Sequence, residues 1–232
     1  MIKFIITGTG RCGTCFISKV FNSLGISCGH ESIFGPVGKE EVVNRLSGKS
    51  EPVISEVFQL IKDDIKPNLK LLQADSSYMA APYLDLVPDV KIIHLVRHPL
   101  KVISSFVFDF KYFQDESDAD EYKEWIYDHT PQLLNIPDSI NRCAYYYIYW
   151  NKLIEDNCAD RQCYIHRVEE DFNQFFFNFI GHSTTDKIYD NKTANSSKNK
   201  NKPKLSIEDI SDIEIRENLI SLAHRYGYRL SM

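Results

Sequence analysis

No apolar run in this 232-residue chain approaches the roughly 18 residues needed to cross a bilayer, so no membrane span is expected. There is no excess of basic residues either: 27 Lys and Arg stand against 32 Asp and Glu, for a formal net charge of −5. A global positive field of the kind that holds nucleic acid is therefore absent, and no nucleic-acid partner is expected. A phosphate-bearing ligand would have to be gripped by a few placed cations. Glycine and proline are sparse, at ten and nine, as in an ordinary soluble globular protein. The six cysteines (12, 15, 28, 143, 158, 163) form no dense extracellular framework, so reduced thiols and a cytoplasmic location are expected. Met1 leads straight into Lys3-Phe4-Ile5-Ile6, which is too short for a signal-peptide core and lacks a small-residue cleavage site. Cys12 and Cys15 have redox spacing but lie inside a glycine loop. A zinc site would need two further ligands at matching spacing, and none stands out.

What is present is an alternation of short apolar runs and helical patterns. Strands are expected at Ile2–Thr7, Ile26–Cys28, Leu71–Ala74, Lys91–Val96 and Gln162–Arg167. Helices are expected at Thr14–Leu24, Lys39–Leu46, Ile54–Ile65, Met79–Leu86, Leu100–Phe110, Ile140–Asp156 and Ile207–Tyr226, the last ended by Gly227. Such alternation predicts an α/β fold with a mostly parallel sheet covered on both faces. The length suits one core, hence a single domain over 1–232. Asp115 to Glu124 is acidic and reads as a solvated loop before a helix. His182 to Lys204 is poor in apolar residues and rich in Asn, Ser, Thr and Lys, and reads as a mobile surface loop.

Gly8-Thr9-Gly10-Arg11-Cys12-Gly13-Thr14 follows the first strand and opens a helix. Glycines there let several N–H groups converge on one anion at the positive end of the helix dipole. The frame Gly8-x-x-x-x-Gly13 is that of a P-loop, yet Thr14 and Cys15 stand where a nucleoside-triphosphatase needs Lys and then Ser or Thr. Gly8-x-Gly10-x-x-Gly13 also spells a dinucleotide fingerprint, with Glu31 near the place of a ribose-binding acid. On that alternative the chain would be an NAD(P)-dependent oxidoreductase.

A third class fits better. Gly10-Arg11-Cys12-Gly13-Thr14-Cys15 resembles the Arg-Ser-Gly-Thr-Thr loop of sulfotransferases that use 3′-phosphoadenosine 5′-phosphosulfate (PAPS), with Cys at the Ser and second Thr positions. The resemblance implies a three-layer P-loop-like fold, and a loop that holds the 5′-phosphosulfate through Gly10, Arg11, Cys12, Gly13, Thr14 and Cys15. Further on, Lys91-Ile92-Ile93-His94-Leu95-Val96-Arg97-His98-Pro99 is a buried strand ending in an arginine, and Pro99 suits a helix start. Arg97 and Ser105 are eight residues apart, which resembles that family's 3′-phosphate site. A phosphate monoester needs an arginine fork and a hydroxyl donor. Tyr164-Ile165-His166-Arg167-Val168-Glu169-Glu170-Asp171 and Arg225-Tyr226-Gly227-Tyr228 extend the likeness less specifically, across most of the chain.

Cys28-Gly29-His30-Glu31 is similar to the Cys-Gly-Glu-Glu segment of the tyrosyl-protein branch, whose second Glu is the base. That implies Glu31 as general base, with His30 as the other candidate, and Arg11 as the catalytic cation. Several branches place a lysine at the third strand's exit, but this chain reads Leu72-Gln73-Ala74-Asp75-Ser76-Ser77. Arg11, or a lysine from elsewhere such as Lys198, Lys200, Lys202 or Lys204, would then steady the leaving group. No metal is expected, because the loop has no metal-binding position. A homologue that binds nucleotide and has lost its chemistry is a further alternative. Tyr145-Tyr146-Tyr147, Tyr149 and Trp150 could line a cleft, although an aromatic helix is more often core. The acceptor stays open among carbohydrate, peptide tyrosine, lipid and small alcohols.

Overall fold

The computed structural model describes residues 2–55, 67–113, 121–183 and 203–230. Five strands form one sheet: β1 (Phe4–Thr7), β2 (Cys28–His30), β3 (Ala74–Ser76), β4 (Lys91–Val96) and β5 (Cys163–Arg167). Their order is β2-β3-β1-β4-β5 and every pairing is parallel, with Ile5 opposite both Asp75 and Ile92. The helices are α1 (Thr14–Ser23), α2 (Lys39–Leu46), α3 (Pro99–Ser104), α4 (Glu121–His129), α5 (Ser139–Cys158), α6 (Gln174–Ile180) and α7 (Ile213–Arg225).

The fold is α/β with an all-parallel central sheet between helical layers. Successive strand residues feed opposite layers, as the period of two requires. Ile5 and Ile92 join the core under α3, α5 and α7, whereas Phe4, Ile6 and Ile93 join the one under α1 and α6. The aromatic run of α5 belongs to the first core, with Tyr146, Tyr147 and Trp150 fully buried. Because β1 is flanked on both sides by later strands, the chain changes direction across the sheet there. A ligand crevice is expected at the carboxyl ends of the strands at such a point.

Several expected elements are displaced. The second and third strands begin two and three residues later than their apolar runs, at Cys28 and Ala74. Leu71, the start of the third run, is two-thirds exposed. Pro82 keeps Tyr78–Leu86 as a 3₁₀ segment where an α-helix was expected. Leu100–Phe110 divides into α3 and one π-helical turn over Ser105–Asp109. Ile207–Tyr226 divides at Asp212, whose side chain accepts from the Ile215 N–H and starts α7 afresh. The expected helix Ile54–Ile65 lies almost wholly outside the described residues. So does most of the expected loop 182–204, with Lys198, Lys200 and Lys202.

One cysteine expectation is corrected. Cys158 and Cys163 are disulfide-bonded, while Cys12, Cys15, Cys28 and Cys143 are buried and take part in no disulfide. The turn between α5 and β5 is tight enough for Arg161 N–H to reach Cys158 O, leaving the two Cα atoms 5.6 Å apart. That spacing is within disulfide reach.

Gly8, just past the end of β1, lies tight against Leu95 of β4. A Cβ there would lie 2.4 Å from both Leu95 O and Cys12 Sγ. Gly8→Ala should therefore lower stability by about 2 kcal/mol or more, through overpacking against backbone. Urea denaturation would show this as a fall in midpoint at constant slope.

Candidate active site

The loop after β1 owes its shape to backbone that L side chains rarely adopt. Gly10 has φ 62°, Arg11 φ 53° and Gly13 φ 93°. Left-handed geometry is cheap for the glycines and costs about 1 kcal/mol or more at Arg11. No side chain caps α1 at Gly13, so the first-turn N–H groups of the helix are presented toward the loop. Burial raises the Cys12 thiol to about 12, which keeps it protonated and unsuited to a redox or nucleophilic role.

The β4 exit is bound to this loop. Arg97 Nη1 donates to the Arg11 carbonyl oxygen at 2.7 Å, and the Arg97 carbonyl accepts from the Tyr147 hydroxyl at 2.8 Å. Arg11 Nε donates to Ser105 Oγ at 3.2 Å, and its guanidinium lies 4.2 Å from the Phe110 ring centre. Ser105 donates onward to Asp109 Oδ2 at 2.9 Å. Arg97 and Ser105, expected to act as a pair, are thus linked here through Arg11. Burial and then the nearby Arg97 both depress the Arg11 pKa, as two cations at one place must.

The β2 exit forms the other wall. The buried Asp75 carboxylate accepts from the N–H groups of Ser32, Ile33 and Phe34 at 3.1, 2.9 and 3.1 Å. This turns the chain sharply after His30, and Glu31 takes φ 55° while its N–H donates to Ser76 O. Gly29 allows the approach, since a Cβ there would meet Asp75 Oδ1 at 2.6 Å. Glu31 is buried, and desolvation followed by the Asp75 charge raises its pKa to about 8. Asp75 itself is raised to about 6 by burial, against the opposing pull of its three N–H donors. His30 is held near 4 by burial, hence neutral. Its ring nitrogens lie 3.2 Å from Thr14 Oγ1 and 3.2 Å from Ser55 Oγ, and Nε2 is 4.0 Å from Glu31 Oε1. It therefore couples the two walls.

The sequence motifs therefore meet at one sheet edge: Gly10 to Cys15 above β1, Arg97 and Ser105 beyond β4, and His30 and Glu31 at the end of β2. The two weaker motifs support the β4 exit from the side. Glu169 accepts from the His98 N–H and from the Tyr228 hydroxyl, and Arg167 Nη1 donates to Gly227 O at 3.0 Å. Lys204 is exposed in the described part of its segment. Three residues that the motifs passed over also belong here. Asp75 was noted only as a missing lysine. Asp109 has an i, i+4 relation to Ser105 that could have revealed it. Tyr78 packs 3.4 Å from where a Gly10 Cβ would lie. Among the described residues no group of three or more His, Cys, Asp or Glu is placed to hold a metal ion, and no helix is long and apolar enough to cross a membrane.

This is an α/β fold with its polar groups gathered at the carboxyl edge of an all-parallel sheet. Among solved structures, a sulfotransferase from Alicyclobacillus acidocaldarius has the same fold. It aligns over 99% of this chain and 97% of its own, with a TM-score of 0.50 and 17% sequence identity. No family model and no curated protein matches the sequence.

Both raised carboxyls make stability fall as pH rises. The folded state holds their protons more tightly than the unfolded chain, whose values are near 4.5 for Glu and 3.8 for Asp. Stability is thus full below those values and is lost as pH climbs through about 6 and then about 8. The slope approaches about 1.4 kcal/mol per pH unit for each group. Glu31→Gln should remove the upper part of this slope, seen as a urea midpoint that changes little between pH 6.5 and 8.5.

Proposed function

We propose that the chain is a sulfotransferase that moves a sulfuryl group from PAPS to an acceptor hydroxyl or amine by in-line displacement. One observation carries the reading. Two motifs 86 residues apart place the Arg97 guanidinium on the Arg11 carbonyl and Ser105 on the Arg11 guanidinium. Two partly buried arginines with a hydroxyl between motif and motif suit a ligand with two phosphate-type groups. The fold shared with a solved sulfotransferase supports the same reading.

Each residue then has a task. The loop N–H groups from Gly10 to Cys15, with Thr14, hold the 5′-phosphosulfate. Arg97 and Ser105 hold the 3′-phosphate. Glu31 takes the acceptor proton as the acceptor oxygen bonds to sulfur and the sulfur–oxygen bond to the nucleotide breaks. Arg11 steadies the charge that builds on the departing phosphate oxygen, in the role of the absent strand-exit lysine. His30 is a positioning residue, because both its ring nitrogens already face hydroxyls and its proton affinity is low.

The strand order weighs against the oxidoreductase. In the dinucleotide fold the ribose-binding acid follows the strand beside β1. Here β3 occupies that place, and Glu31 stands one strand further out.

Calorimetry with adenosine 3′,5′-bisphosphate tests the reading. Micromolar binding is expected, and Arg97→Ala should weaken it at least about 30-fold, by some 2 kcal/mol. Absence of binding by the wild-type protein would reject the proposal. Transfer of radiolabel from PAPS should be screened against carbohydrate, tyrosine-peptide, lipid and small-alcohol acceptors. With an acceptor in hand, the rate should rise about tenfold per pH unit up to a limiting pKa at or above 8. Glu31→Gln should cut it by about 10² or more and flatten the profile. A profile limited near pH 6.5 would transfer the role to another group.

A further inference from the structure

Asp109 stands where the proposed ligand needs cations and donors. Its Oδ2 accepts from Ser105 Oγ at 2.9 Å, and Ser105 in turn accepts from Arg11 Nε. Its charge also faces Arg11, since it opposes the fall in that guanidinium's pKa. The π-helical turn over Ser105–Asp109 sets this up, with Phe110 N–H closing on Ser105 O at 3.3 Å. Residues four apart on such a turn share a face, and π turns recur at functional sites. Just beyond, Lys111 and Phe113 have φ of 51° and 65°, so the backbone leaves helical geometry directly after the turn that carries Asp109.

A carboxylate and a phosphate monoester compete for the same partners, an arginine N–H and a hydroxyl. They also repel each other at close range. A nucleotide 3′-phosphate therefore reaches Ser105 only by displacing Asp109 or by bearing its charge. We infer that Asp109 sets how tightly the site holds the 3′-phosphate. It lowers the affinity for nucleotides that carry this group, and so hastens release of adenosine 3′,5′-bisphosphate after transfer. The inference rests on the proposed donor, and it assigns to one acid the setting of that donor's grip.

The alternative role for Asp109 is to orient Ser105 and Arg11 for the nucleotide, and it predicts the opposite sign. Calorimetry would compare wild type, Asp109→Asn and Asp109→Ala against adenosine 3′,5′-bisphosphate and adenosine 5′-monophosphate, with thermal melts confirming folding. Both variants should bind the bisphosphate about tenfold more tightly and the monophosphate within twofold of wild type. The Ala variant keeps the comparison decisive where the Asn variant fails to fold. Unchanged or weaker bisphosphate binding would overturn the inference and leave the sulfotransferase reading standing. Equal tightening of both nucleotides would also overturn it, because the charge would then act on the 5′ side. Binding of neither nucleotide by any form would reject the inference and the sulfotransferase reading together.

Discussion

The hydrogen bond from Arg97 to the Arg11 carbonyl is the constraint on which the sheet edge depends. It joins the end of β4 to the loop after β1, and it does so through backbone, so it fixes the loop's shape independently of the Arg11 side chain. Arg11 can hold a left-handed conformation because a charged donor satisfies its carbonyl there. Satisfying that carbonyl costs something else. It brings two guanidiniums together in a partly buried place, where like charges repel more strongly than in water. Ser105, Phe110 and Asp109 offset part of that repulsion around Arg11. An arrangement of this kind is stabilised further by any anion of suitable shape, which is why the proposed function begins from these two residues.

The opposite wall is organised by a buried acid. Asp75 anchors three successive N–H groups, and the turn they form puts Glu31 in a left-handed conformation over the end of β3. The resemblance drawn from the sequence implies a lysine near this strand exit. Here the position serves the chain's own backbone, and a lysine could not accept from those N–H groups. The departure has an electrostatic consequence. Glu31 faces another carboxylate in a desolvated surrounding, and both favour its neutral form.

The parts of this structure readable from the sequence are those where one local pattern suffices. The β4 strand, its terminal arginine and the proline that opens α3 all lie in nine consecutive residues, and each has one sensible conformation. The glycine loop was readable as a sharp turn into α1 for the same reason. Asp75 was not, because its role depends on Ser32, Ile33 and Phe34, more than forty residues away. The Cys158–Cys163 bond was missed because the sequence carries no framework of cysteine pairs; only the closeness of one helix end to one strand start produces it. Arg97 and Ser105 lie at one edge, as expected, but a third residue links them. Arg11 lies between, and no spacing rule within residues 97–105 could reveal a group from the other motif.

The two walls are not independent once a polyanion enters. Arg11 and Arg97 draw negative charge to the loop, and Thr14, bonded to His30, connects that loop to the residue beside Glu31. Negative charge bound there disfavours ionisation of Glu31, so its pKa rises above the value near 8 that burial already gives it. Linkage makes the effect reciprocal: ionising Glu31 must weaken the hold on such an anion by the same factor. On the proposed reading, tight donor binding and a ready base therefore oppose each other within this chain. A carboxylate at Asp109 that loosens the far end of the nucleotide relieves product retention without touching the base, which is a reason for an acid to stand among the cations.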